Sequence, residues 1–411
     1  SPMKTQSLIL ISTWSLLACS SLMAEANEQY AEALSQRLTI VDTHIDTPIR
    51  LHYRSADITR RSELGEFDYE RASEGGLDAA FMSIFIPATV DREGEAFSFG
   101  NNLIDSVEKW SDEHPDKFQI ATCTNDIEKI KNTTAIALPL GMENGGPIAG
   151  SLENLKHFYD RGIRYITLTH SKWNHISDSS YDTDEHWGGL SEFGLELITA
   201  MNKQGIMVDV SHITDRAFWQ VIKQTKAPIM ASHSSLRHFI PGFHRNMSDD
   251  MVKAIGKNGG VVQINFGSSF VTQAARDFIN DSSQAVKTFR EENGLANTDP
   301  KVQAFREQYI KEKKFPYATI SDVVDHIDRV VALAGIDHVG LGSDFDGVGP
   351  TLPIDLKHAG HYPNLVAELI NRDYNEADIN KIVGQNLMRV WKEVELYASN
   401  HGNPAVCKQT E

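Results

Sequence analysis

The feature that most restricts the fold of this chain is an alternation. Eight short apolar runs recur along it, at 39–44 (TIVDTH), 79–87 (AAFMSIFIP), 135–142 (AIALPLGM), 163–169 (IRYITLT), 206–211 (IMVDVS), 227–232 (APIMAS), 260–266 (GVVQINF) and 337–343 (DHVGLGS). Their length and β-branched content mark buried strands. Between most of them lie helical patterns, such as Leu190 to Asn202 and Met251 to Lys257. Strand and helix repeated in this way predict an α/β fold, a parallel sheet closed as a (β/α)8 TIM-like barrel. An open doubly wound sheet is the alternative, and the lack of a Gly-rich phosphate loop after the first strand weakens it. No Pro/Ser-rich linker or fixed-period repeat divides the chain, so one catalytic domain is expected over 27–400, followed by a polar tail at 401–411. Two connections, 89–134 and 267–336, are longer than a barrel needs. Loops that follow strands lie on the catalytic face, so both are expected to form a partial cap over the mouth.

The N-terminus has a different character. Ser1-Pro2 reads as a cloning remnant ahead of a natural Met3. Lys4, an apolar run from Leu8 to Ala18 and the small-residue exit Ala24-x-Ala26 then form a secretory signal, too short in its apolar part to span a bilayer. Leu16-Leu17-Ala18-Cys19 also resembles a lipoprotein box, so a lipid anchor at Cys19 is the alternative to cleavage; either way 1–26 is set apart from the fold. Export to a bacterial periplasm or medium is the expectation. A net charge of −17 argues against nucleic acid or an anionic membrane as partner. No second long apolar segment exists, so no transmembrane helix is expected. Three cysteines are too few for a disulfide framework. Beyond the leader, Cys123 and Cys407 either pair with each other or leave Cys407 free or intermolecular.

The chemistry lies at the strand ends. The first strand ends in His44 and Asp46, two residues apart and so on one side of the strand. The third runs into Glu143 within Gly141-Met142-Glu143-Asn144-Gly145. The fourth, fifth and sixth end at His170, His212 and His233, and the eighth at Asp344. Singly, each of these has an ordinary structural explanation, such as a helix cap, a turn acid or a hydrogen-bonded core histidine. Six of eight predicted strands delivering a histidine or an acid to the catalytic end outweighs that explanation. In Gly342-Ser343-Asp344-Phe345-Asp346-Gly347, Asp344 is preferred because it comes directly off the strand.

The imidazoles of His44, His212 and His233 with the carboxylates of Asp46 and Glu143 exceed the needs of one catalytic zinc, which takes three protein ligands and a water. Two metal ions sharing a carboxylate use the set fully. Such ions sit ~3.5–4 Å apart and lower the pKa of a shared water, supplying a bridging hydroxide for attack on a carbonyl or phosphoryl centre.

From about Ile40 to Glu395 the chain resembles the membrane dipeptidase (renal dipeptidase) family of zinc metallopeptidases, which have amidohydrolase-like barrels. The segments that carry the resemblance are VDTHIDTP, ERASEGGLDAAFMSIFIP, GMENG, TLTH, GLSEFGLELITAMNKQGIMVDVSH, ASHSS, HRNMSDDM, GLGSDFDGV and YPNLVAELI. The resemblance implies two zinc ions per chain: His44 and Asp46 on the first, His212 and His233 on the second, and Glu143 bridging. It implies that His170 binds the scissile carbonyl or its oxyanion, that Arg245 holds the substrate carboxylate, and that Asp344 handles the proton and the substrate amine. The function implied is hydrolysis of free dipeptides, including those with a C-terminal D-residue. The alternatives are another hydrolase on this barrel (lactonase, deacetylase or cyclic-amide hydrolase) or an inactive metal-binding protein. Residues 171–188 and 267–337 do not follow the family closely, which leaves side-chain preference open. The oligomeric state is also open, a homodimer being one alternative.

Overall fold

The computed structural model describes residues 7–407, with side chains from Ser15 onward. Ten parallel strands form its sheet: β1 (Ile40–Ile45), β2 (Leu77–Phe85), β3 (Phe118–Ile120), β4 (Ile136–Leu138), β5 (Leu140–Glu143), β6 (Ile163–Thr167), β7 (Met207–Asp209), β8 (Met230–Ala231), β9 (Val261–Ile264) and β10 (Val339–Leu341). β1 pairs with both β2 and β10, which closes the sheet into an eight-stranded barrel. All eight predicted runs are strands of this barrel. The third is interrupted at Pro139, whose missing N–H divides it into β4 and β5. β3, which the sequence did not announce, pairs with β4 outside the ring.

The connecting helices begin and end on local signals. Ser191, Thr214, Ser248 and Thr319 each cap a helix by accepting a hydrogen bond from a backbone N–H in its first turn. Gly205 and Gly259 close two of these helices at φ values of 94° and 84°, where a side chain would be strained.

Alternation along the strands builds the interior in layers. Val41, Ala79, Phe81, Tyr165, Met207, Met230 and Val261 form one apolar layer, which packs against Trp391 and its neighbours on the helix Asn386–His401. One or two residues further up the strands come polar side chains, including Asp209, Gln263 and Glu143, all buried. The outward-facing set, including Met82, Ile84, Leu140 and Met142, joins the surrounding helices in a larger core.

The two long connections differ in what they do. The stretch after β9 folds into the helices Gln273–Asn293 and Pro300–Glu312 before the barrel helix Ile320–Ala334, and it walls the mouth with Phe270, Ile310, Phe315 and Tyr317. The stretch after β2 carries the helix Ala96–Glu113, β3 and the helix Thr124–Lys131, and contributes nothing to that wall. It is spent instead on the extra strand and on helices packed beside β2 and β4.

At the N-terminus, Ser7–Arg37 is one helix. Residues 15–30 are exposed, whereas Ala31 and Leu34 are buried against the body of the protein. Met3 and Lys4 of the predicted leader lie outside the described residues; Cys19 is exposed and free. No described helix is long and apolar enough to cross a membrane. Cys123 is bonded to Cys407, which ties the end of the described chain to the start of the helix Thr124–Lys131.

Candidate active site

The carboxyl ends of the strands open into a cavity of about 1240 Å³. Asp46, Glu143, His170, His212, His233, Arg245 and Asp344 all line it, and His44 lies buried directly behind them. The residues predicted from six strand ends and one loop therefore meet at a single place.

Glu143 is at the centre. Its Oε2 lies 3.2 Å from His212 Nε2 and 3.0 Å from His233 Nε2, and those two nitrogens are 3.2 Å apart. Its Oε1 lies 3.5 Å from His44 Nε2, which in turn is 3.1 Å from Asp46 Oδ2 and 3.7 Å from Asp344 Oδ1. A tetrahedral zinc with ligands at about 2.0–2.1 Å holds neighbouring donor atoms about 3.3 Å apart, so both groupings have the spacing of a metal shell. Several of these donors are buried without a hydrogen-bond partner: His44 Nε2, Asp46 Oδ1 and Glu143 Oε2. Asp46 stands at the cap position of the helix Thr47–Tyr53 but makes no capping bond, so its carboxylate is not used as a helix cap.

The imidazoles are held with those nitrogens free. Tyr165 donates its hydroxyl proton to the Thr43 carbonyl at 2.8 Å, so at 2.9 Å from the same oxygen His44 Nδ1 must be the donor. That fixes the tautomer and leaves the Nε2 lone pair facing the carboxylates. His233 is held in the same way. Ser232 donates to Asp209 at 2.5 Å and accepts from His233 Nδ1 at 2.8 Å. Asp209 is fixed in turn by Thr167 and by the backbone N–H groups of Ser211 and Ser232.

The electrostatics favour a cation. Burial and the neighbouring Arg245 and His170 hold His212 well below its ordinary pKa, and burial beside His44 takes His233 down to about 4, so both imidazoles are neutral. Burial would also lower His44, but Tyr165 and the carboxylates of Asp46 and Glu143 outweigh it and raise its pKa well above the ordinary value, so its Nε2 seeks a cation, whether proton or metal. Three acids gathered around one buried imidazole thus recruit positive charge. Burial pushes Asp344 up to about 6, against the pull of His233 and His44. Asn265 donates to its other oxygen at 2.9 Å.

Asp344 and its neighbour Asp346 serve different ends. Asp346 accepts from Thr47 Oγ1 at 2.7 Å and from the Glu66 N–H at 2.7 Å, and pairs with Arg50 at 2.9 Å. It is a brace between loops. Asp344 (φ 64°), like Asn144 (φ 77°) and His212 (φ 75°), has left-handed backbone. Such conformations are costly for residues other than glycine and cluster where function requires them. Two glycines make room for the arrangement. A Cβ on Gly141 would fall 2.1 Å from Cζ of Tyr165, and one on Gly347 would fall 2.2 Å from Asp46 Oδ2. Arg245 is buried and donates from Nη1 to Ser234 Oγ at 2.9 Å and from Nη2 to the His233 carbonyl at 2.6 Å, the same Nη2 lying 3.3 Å from His212 Nε2.

A family model described as membrane dipeptidase (peptidase family M19) matches residues 28–405. The chain belongs to the membrane dipeptidase family. It is 31% identical over 402 residues to an uncharacterized dipeptidase of Schizosaccharomyces pombe, covering 91% of this chain and 85% of that one. It is 31% identical over 399 residues to the dipeptidase ataJ of Aspergillus terreus, covering 89% and 87%. Among solved structures, it matches the probable dipeptidase PvdM of Pseudomonas aeruginosa with a TM-score of 0.78 at 27% identity, over 91% of this chain and all of that one. This membrane dipeptidase family member is thus a zinc metallopeptidase of the dipeptidase type, with a site able to hold one or two metal ions. Sequence reasoning missed the residues behind the site: Tyr165, Asp209, Ser232 and Asn265. Each reads locally as an ordinary strand residue, and only the closed barrel brings it to its partner.

Proposed function

We propose that this protein is an exported dipeptidase that cleaves free dipeptides, including those ending in a D-residue, with two zinc ions per chain. His44 and Asp46 would hold one ion, His212 and His233 the other, and Glu143 both. The observation that carries the reading is that two sets of donor atoms approach the two oxygens of one buried carboxylate, beside a buried arginine that has no acidic partner among the described residues. Bound zinc supplies Lewis acidity and brings the pKa of a water to about 7.

The remaining roles fall to the chain's own side chains. Arg245 grips the substrate's C-terminal carboxylate through the two-pronged donation that a guanidinium provides. His170 donates to the oxygen of the scissile carbonyl as it becomes tetrahedral, a contribution of about 2.7–4 kcal/mol per donor. Asp344, raised to about 6 by burial, takes the proton of the attacking water and returns it to the leaving amine. Because the C-terminal residue is held by its carboxylate, the configuration of its α-carbon has little influence. The cavity is much larger than a dipeptide main chain, so selection for two residues rests on the Arg245 anchor, not on the walls.

A panel of L,L- and L,D-dipeptides, their C-terminal amides, tripeptides, lactones and N-acetyl amino acids tests this reading with zinc supplied. Free dipeptides should lead by at least tenfold in kcat/KM. Equal rates on a dipeptide and its amide would refute the role of Arg245. We also assign residues 1–26 to export and 27–400 to the catalytic domain. Mass spectrometry of the mature protein should find Asn27 at or near its start; a diacylated Cys19 would instead establish a lipid anchor.

A further inference from the structure

Next to Arg245 the cavity wall holds a second set of polar groups that the roles above leave unused. Tyr181 lines the cavity with Arg245, His170, His212 and Phe270. Its ring stands edge-on to His212 at 5.6 Å and to His170 at 6.5 Å. The segment that carries it is stitched to the strand ends. Ser179 bridges to Ile213 and bonds the His170 carbonyl through its hydroxyl, and the Ser180 N–H donates to the His212 carbonyl at 2.8 Å. The backbone at Tyr181 is therefore tied to the strand ends that carry those histidines.

Arg276 stands behind it. Its guanidinium lies 4.4 Å over Phe243 and 5.9 Å from the centre of Phe270, whose ring Arg245 also approaches at 5.6 Å. Two guanidiniums thus share one aromatic neighbour. Among the described residues, no carboxylate lies within ion-pair distance of either, and the Nε of each is buried without a partner. Withdrawing two cations from water without a counter-ion is costly, and an incoming anion relieves that cost. Burial pushes the Tyr181 phenol up and the charges of Arg245 and Arg276 pull it the other way, so both guanidiniums stand near that ring. Among the described residues the Tyr181 hydroxyl makes no hydrogen bond to a protein group, so its O–H remains available to the cavity.

We propose that Tyr181 is a substrate-binding residue: its hydroxyl and the Arg245 guanidinium together grip the free C-terminal carboxylate of the dipeptide, with Arg276 as the positioning residue that orients the phenol. This rests on the reading of Arg245 given above. It assigns a specificity role to residues 171–188 and to the cap helix Gln273–Asn293, within the two stretches that do not closely follow the family resemblance.

Tyr181→Phe keeps the ring and removes only the hydroxyl. It should raise KM for a free dipeptide about tenfold or more, leave kcat within about twofold, and leave kcat/KM for the C-terminal amide unchanged. Arg276→Met should do the same in weaker form, with zinc content and melting curve as for the unmutated enzyme; Arg276→Lys replaces it if the methionine variant does not fold. If the unmutated enzyme prefers the free dipeptide and Tyr181→Phe keeps that preference in full, the role of Tyr181 is overturned while that of Arg245 stands. If the unmutated enzyme shows no preference, the reading of Arg245 fails first. A fall in kcat with unchanged KM would also overturn the proposal, placing Tyr181 in the chemical step.

Discussion

Replacing Tyr165 by phenylalanine tests how the barrel interior controls the site above it. The Tyr165 hydroxyl is fully buried, donates to the Thr43 carbonyl and accepts from His44 Nδ1. Tyr165→Phe preserves the ring, which packs against Phe81 at 5.6 Å and into the space left by Gly141. Two buried polar groups then lose that partner. Each such loss costs about 1–3 kcal/mol, so the metal-free protein should lose about 2–6 kcal/mol of stability. The ring of His44 also becomes free to rotate and to adopt the other tautomer. Loss of a partner of this kind weakens metal binding about 10–100-fold. Competition with a chromophoric chelator measures the zinc affinity directly, and urea unfolding of the metal-free protein measures the stability. The two readouts separate a packing effect from a tautomer effect. Zinc affinity equal to that of the unmutated protein, with stability lowered, would refute the argument that Tyr165 sets the state of His44.

Three further outcomes are expected. Glu143→Gln should lower zinc occupancy at both positions together, from about two per chain, as read by elemental analysis; selective loss of one ion would show that Glu143 does not bridge. Asp344→Asn should keep zinc and fold while kcat falls by roughly 10²–10⁴, because an amide cannot accept the proton; a larger effect of Asp346→Asn on stability than on kcat would match the bracing contacts of that residue. Asp78 accepts the Ile40 N–H at 2.8 Å, and burial pushes its pKa up to about 7. A carboxyl raised in the folded state stabilises the fold least once both states are ionised. Its contribution should therefore fall as pH rises from about 4 through 7, and Asp78→Asn should flatten that part of the stability profile.

The barrel and the site were legible in the sequence for one reason. A strand displays its chemistry in its last residues, and eight strand ends can be read without knowing how the strands pair. What could not be read depended on pairing. Tyr165 sits in an apolar run and looks like core; only closure of the barrel, which brings β6 and β1 to face each other across its interior, carries its hydroxyl to His44. Asp209 ends β7 and Ser232 directly follows β8, and their relay to His233 exists only once those strands are adjacent. β3 escaped notice because three residues hold too little alternation to show a period. The bond between Cys123 and Cys407 spans 284 residues, a separation over which local pattern carries no information. Both long connections were expected over the mouth because each follows a strand, and only their packing distinguished the one that walls the cavity from the one that supports the sheet.

The left-handed backbone at Asn144, His212 and Asp344 bears on any attempt to engineer this enzyme. Each residue pays about 1–3 kcal/mol for a conformation that glycine adopts freely. A screen that rewards heat resistance alone would be drawn to those positions and would return glycines there: robust proteins that, at His212 and Asp344, lack the proposed metal ligand or the proposed acid. Evolving a hardier version therefore requires an activity gate at every round, or a library in which those codons are locked.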